Sequence, residues 1–161
     1  MTFCYSKKRY RKLTFFSEKI ERYLTTRILV EENIVSSNSV FRYSKKGIIP
    51  DIVSYIAHVL YLTECEEYTI LCALIYLGRF KNADPNVVAK STICYLLFIS
   101  IILSQKYNEN QKEHKIDYTK IGNIKKGELF KLEMCFMKSV NYNLGIKEEN
   151  EIQNIRNAVY I

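Results

Sequence analysis

Residues 93–103, ICYLLFISIIL, form an eleven-residue stretch without a charge, and Gln105 and Lys106 follow almost at once. A bilayer-spanning helix needs roughly 17 to 25 apolar residues, so this run is too short to cross a membrane. Its length and all-round apolarity suit the central helix of a bundle, covered by neighbours on every side. The rest of the chain must therefore supply several amphipathic helices to cover it. At 161 residues it can build one domain with a full core but not two. Only 5 Gly and 2 Pro interrupt it, which favours an all-α fold, and 13 Tyr and 8 Phe give that fold bulk.

The covering helices can be read from the periodicity. Phe16, Ile20, Tyr23, Leu24 and Ile28 predict a helix over 14–35 with Ser17 as a cap, ended by SSNS at 36–39. After SKKG and Pro50, Asp51 opens a helix to about Leu62 whose apolar face holds Ile52, Tyr55, Ile56, Val59 and Leu60. YTILCALIYLGRF, 68–80, is a strongly apolar helix after a short break. Asp84-Pro85 has the form of an N-cap followed by a first-turn proline, so the central helix is expected from there to about Tyr107. DYTKIG, 117–122, is one or two turns; helices at about 126–140 and 148–159 complete the chain.

Charge is unevenly placed. Residues 1–46 hold 11 Lys/Arg and 4 Asp/Glu, whereas residues 47–161 hold 13 of each. All the net charge of +7 thus belongs to the N-terminal part, where KKRYRK (Lys7–Lys12) is either a nuclear address, a polyanion contact or a solvated, flexible arm. Duplex binding by the neutral remainder would be weak, so nucleic acid is an unlikely partner. The five cysteines are odd in number and scattered, which is read as reduced thiols of a nuclear or cytosolic protein. His58, Cys65 and Cys72 recur every seven residues, but zinc sites favour tighter pairs, and core packing explains them. No phosphate loop, HExxH or nucleophile elbow is present, so neither a cofactor nor an enzyme is expected.

Two charges do not fit their surroundings. Lys106 lies on the stripe of Ile99, Ile102 and Leu103, and Glu133 on that of Leu129, Phe136, Met137 and Val140. A carboxylate buried alone there would cost several kcal/mol. Either the two pair with each other inside the fold, or the stripe is a surface built to meet a partner.

The order of these segments resembles a cyclin box, in particular that of the short single-box cyclins related to the yeast phosphate-pathway cyclin (P/U-type). FRYSKKGIIPDIVSYIAHVL is similar to the first-helix segment of that family, and LCALIYLGRF to its second-helix motif A-L-[IV]-Y-[ILV]-D-R-[FL]. ILSQKYNEN stands where the third helix ends on A-x-K-[FY]-x-[DE]. KIGNIKKGELFKLEMCFMKSVNYNL follows the stretch that carries the family's glutamate. The resemblance covers about 41–146 and implies an arm at 1–13, an N-terminal helix and connector at 14–46, a five-helix cyclin box at 47–146 and a C-terminal helix at 147–161. It further implies a non-catalytic regulatory subunit that forms a heterodimer with a cyclin-dependent protein kinase, its kinase-binding residues falling on Lys106, Tyr107, Glu133, Met137, Tyr142 and Leu144. A cyclin-like module serving the transcription machinery is the alternative. Where the family commonly pairs an Arg with an Asp, this chain has His58 and Gly78. Losing both together leaves no uncompensated charge.

Overall fold

A computed structural model describes residues 7–31, 39–43, 50–109, 116–147 and 149–161. Among them are seven helices: α1 (Lys7–Arg27), α2 (Ile52–Thr63), α3 (Glu67–Ala83), α4 (Ile93–Asn108), α5 (Tyr118–Gly122), α6 (Lys126–Ser139) and α7 (Glu149–Tyr160). The described residues contain no strand. This is the all-α arrangement that the periodicity predicts.

Helix α4 is the axis. Every residue from Ile93 to Gln105 is buried, so its lack of an amphipathic face reflects cover on all sides. Helix α3 lies along it and is itself buried from Thr69 to Leu77 and at Phe80. Helix α6 closes a second side through Leu129, Leu132 and Phe136, with the Phe136 ring stacked on Phe80 at 5.0 Å. Helix α1 packs on α2, and α7 packs on both α3 and α1. Phe16 of α1 stacks on Tyr160 of α7 at 5.8 Å, and Arg22 donates to the carbonyls of Val159 and Ile161. Burying these side chains at roughly 1.5–3 kcal/mol each is what sets the entropy of ordering seven helices aside.

Local chemistry fixes several ends. Asp51 caps α2, accepting from the Ser54 amide at 3.0 Å and hydroxyl at 2.8 Å. Asp117 caps α5, accepting from the Lys120 amide at 3.3 Å and the Thr119 hydroxyl at 2.6 Å. Asn123 (φ 49°) closes α5 in the left-handed region, with the Ile124 amide reaching back to the Thr119 carbonyl at 3.1 Å. Gly122 is required there: a Cβ would stand 2.3 Å from Cε1 of the buried Phe98 ring.

Two expectations are corrected. Asp84-Pro85 does not start the central helix. Asp84 instead closes α3, its amide donating to the Phe80 carbonyl at 2.8 Å, and α4 begins only at Ile93. The intervening carbonyls are spent elsewhere: Val88 accepts from the Val30 amide at 2.8 Å and Ser91 from the Tyr43 amide at 2.7 Å. Thr92 then organises the turn, accepting from the Ala89 amide at 2.9 Å and donating to the Val87 carbonyl. Ser17 is likewise no cap. Helix α1 starts at Lys7, and Ser17 lies buried in mid-helix with its hydroxyl donating to the Leu13 carbonyl at 2.7 Å. Residues 7–13, expected as an arm, therefore belong to a helix. Most of SSNS and all of SKKG lie outside the described residues.

Cys72 and Cys94 sit in the core, where burial raises their thiols to about 11 and about 12. Among the described residues no cluster of His, Cys, Asp and Glu could hold a metal ion, and His58 is exposed. No helix there is long and apolar enough to cross a membrane.

Candidate functional site

The two misplaced charges meet. Lys106, in the last turn of α4, donates from Nζ to Oε1 of Glu133 on α6 at 2.6 Å. The lysine side chain is 45% exposed and the glutamate 14%, so the pair sits at the rim of the core with its cation toward solvent. Leu129, Phe136 and Val140 of the glutamate's stripe are buried and Met137 is half-buried, so Glu133 marks the edge of that strip. Such a half-exposed pair adds at most about 1 kcal/mol to stability. Its geometry matters more than its strength.

That geometry is set from behind. The Lys106 ammonium lies 5.6 Å from the centre of the Tyr118 ring on α5. The Tyr118 hydroxyl donates to Oε1 of Gln105 at 2.7 Å. Gln105 is fully buried, and its Nε2 donates to the Thr63 carbonyl at 2.7 Å and to Oε2 of Glu109 at 2.8 Å. Thr63 ends α2, so the amide of Gln105 satisfies a carbonyl that the helix leaves without a partner. Glu109 does the same at the opposite kind of end. Helix α3 has no side-chain cap of its own at Glu66, and Oε1 of Glu109 accepts from the Glu66 amide at 3.0 Å and the Thr69 hydroxyl at 2.8 Å. The segment QKYNE thus ties the ends of α2, α3 and α5 to the end of α4 and leaves Lys106 pointing outward.

A second chain of bonds runs parallel. The Ser104 hydroxyl donates to the Thr69 carbonyl at 2.6 Å, Asn108 donates to the hydroxyls of Ser104 and Tyr76, and the Tyr76 hydroxyl donates to the Leu144 carbonyl at 2.8 Å. Burial pushes the Tyr76 phenol up to about 12. Position 144 is thereby fixed to α3.

Large side chains are exposed or half-buried on the same two helices and just beyond α6. Tyr107 is 61% exposed, Phe130 65% and Tyr142 56%, with Met134 and Met137 half-buried on α6. Tyr142 owes its place to the end of α6. Asn141 and Tyr142 both take φ 58°, and their amides bond to the carbonyls of Lys138 at 3.0 Å and Met137 at 2.8 Å. A left-handed conformation is costly for a bulky residue. Here it turns a tyrosine into solvent just past the end of α6. Five of the six residues singled out in the sequence, Lys106, Tyr107, Glu133, Met137 and Tyr142, therefore have exposed or half-buried side chains. Leu144 does not: it is buried in the core, so only a structural part is open to its side chain. Phe130 was not singled out, although its spacing of three, four and seven residues to Glu133, Met134 and Met137 puts it on the same face.

The positions of the Arg–Asp pair common in the cyclin boxes that the chain resembles are harmless here. His58 is exposed, and a Cβ on Gly78 would meet nothing within 4 Å. Arg79 takes up another task, binding Glu151 of α7 at 3.0 Å and the Asn143 carbonyl at 2.9 Å.

The family model described as Cyclin matches residues 29–144, beginning within the segment expected as N-terminal helix and connector. Cyclin-U4-1 of Arabidopsis thaliana is 26% identical over 140 residues, covering 83% of this chain and 67% of that protein. Cyclin-U2-2 of the same plant is 26% identical over 101 residues, 61% of this chain and 44% of that protein. G1/S-specific cyclin-D1 of Danio rerio is 26% identical over 131 residues, 77% and 44% respectively. The chain thus spans from under half to two thirds of the length of these relatives.

Proposed function

The chain belongs to the cyclin family, and on that premise we propose that it is a regulatory subunit that binds and activates a cyclin-dependent serine/threonine protein kinase. One observation carries this reading. An ion pair set at 2.6 Å lies against Tyr118 of a buried polar network, and the helices that carry it also expose Tyr107 and Phe130, an arrangement that suits recognition better than stability.

In this reading Phe130, Tyr107, Met137 and Tyr142 supply most of the binding by removing apolar area from water. Lys106 has three donors and spends one on Glu133, so it offers the others to acceptors on the kinase and sets the register. Activation is a shift in population. The surface contacts the kinase conformation in which the phosphate-binding lysine and its glutamate are paired, and so favours that state by its differential affinity. The cyclin contributes no group to the reaction itself.

The test is catalytic. Purified chain is added to a panel of purified cyclin-dependent kinases, and phosphate transfer to a peptide is followed. Wild type is expected to raise the rate of at least one kinase, and Lys106→Glu to remove that rise while keeping its helix content. Equal activation by Lys106→Glu would overturn the assignment of the site. Activation of no kinase would overturn the function.

A further inference from the structure

Helix α1 carries eight Lys and Arg against two Glu, which is +6 of the chain's net +7. Its first turn holds no acid, so cations there oppose the helix dipole. Arg9 and Lys12, and again Lys19 and Arg22, stand three apart, where like charges repel. These are costs that α7, for instance, does not carry: its first turn holds Glu149 and Glu151, which the helix dipole favours. Nor is α1 a tail. Ile20, Tyr23 and Leu24 are in the core, Arg9 lies 5.1 Å from the ring centre of Tyr61, and Phe16 stacks on Tyr160.

The outward face is consequently a fixed surface. Arg11, Phe15 and Lys19 follow one another at helical spacing along it, with Lys12 beside them, while Arg22 beyond them is held by the carbonyls of Val159 and Ile161. At its centre Phe15 is 57% exposed, and the Lys19 ammonium stands 5.2 Å from the centre of its ring. We propose that this face is a docking surface for an acidic polypeptide segment that carries an aromatic or aliphatic residue among its carboxylates. Charge complementarity selects the acid, and the exposed Phe15 selects the apolar residue.

Two other anionic partners fit less well. A membrane surface would need an apolar face to sink into the lipid, and the apolar stripe of α1 is spent in the core. A duplex presents an unbroken row of phosphates, and the exposed Glu18 on this face would confront it. A polypeptide can leave a gap opposite Glu18. The proposal does not depend on kinase binding, since none of its residues belongs to the Lys106–Glu133 patch.

The experiment measures binding of the full chain to four probes at physiological salt. These are a labelled peptide of Glu and Asp interrupted by Phe, the same peptide without Phe, a random-sequence DNA duplex, and phosphatidylserine vesicles. Wild type is expected to bind the Phe-containing peptide about tenfold more tightly than the Phe-free one, a conservative figure for burying one aromatic side chain. Arg11→Glu with Lys19→Glu is expected to abolish binding of both peptides, and Phe15→Ser to erase the preference between them. All of these side chains are exposed or half-buried, so circular dichroism melting should barely move, and Lys106→Glu should leave peptide binding intact. Peptide binding that survives the double reversal overturns the proposal. So does tighter binding of the duplex or the vesicles than of the Phe-containing peptide.

Discussion

Replacing Glu109 by Ala should destabilise the whole helix assembly although Glu109 is only half-buried. Its two oxygens accept three hydrogen bonds, from the Glu66 amide, the Thr69 hydroxyl and the Gln105 side chain. Loss of an N-cap costs about 1 kcal/mol. Loss of the bond to Gln105, which keeps its bond to Thr63, costs about another. The total of about 2 kcal/mol corresponds to a fall in melting temperature of about 4–8 °C for a domain of this size. Glu109→Gln should lose about half as much, because an amide oxygen can still accept from α3 while its NH2 faces the NH2 of Gln105. Urea denaturation and thermal melts followed by circular dichroism measure both variants. A change below about 0.5 kcal/mol for Glu109→Ala, the lower end of cap loss, would show that the carboxylate does not cap α3.

Glycine substitutions should diverge. Gly78→Ala, with open space around the new Cβ, should stabilise by about 0.5–1 kcal/mol, whereas Gly122→Ala, driven against Phe98, should destabilise by about 1–3 kcal/mol; chemical denaturation reads both. Hydrogen bonds from Ser54 and Thr119 hold the carboxyls of Asp51 and Asp117 below the usual aspartate range. Because the folded values are depressed, the stability they bring is present above the unfolded value near 3.9 and is lost as pH falls through the folded values. Melting temperature should therefore drop between roughly pH 5 and pH 2, and less steeply in Asp51→Asn, which still caps. Burial raises the thiols of Cys65, Cys72 and Cys94 to between about 11 and about 12. In native protein at pH 8 these three should react with a thiol reagent only as fast as the chain opens, behind Cys135; rapid labelling of Cys94 would contradict the buried core.

What could be read from the sequence was whatever rests on local periodicity. The eleven uncharged residues of α4 announce a helix buried all round, Asp51 announces the start of α2, and spacing marks Lys106 and Glu133 as misplaced charges without deciding that they pair. What could not be read depends on partners distant along the chain. Asp84-Pro85 has every local mark of a helix start, yet Val30 and Tyr43 claim the carbonyls of Val88 and Ser91 and hold 84–92 out of helix. Ser17 looks like a cap, yet α1 begins ten residues before it, at Lys7. At the site, residue types can be matched to the cyclin pattern but exposure cannot: Leu144, fixed by Tyr76, is buried, and Phe130 is exposed. The polar cradle of Gln105, Tyr118 and Glu109 unites three helix ends, and no single stretch of sequence displays it.

The central claim is that the Lys106–Glu133 pair serves a partner rather than the fold. The most direct measurement compares kinase affinity and melting temperature for Lys106→Glu, Glu133→Lys and the double exchange. The double exchange restores an ion pair inside the fold but reverses its polarity toward the kinase. The account predicts that it regains the stability lost by the single variants yet still binds at least tenfold more weakly than wild type, a loss of about 1.4 kcal/mol or more. If the double exchange binds as wild type does, the pair is only a strut between α4 and α6, and the kinase-binding surface lies elsewhere.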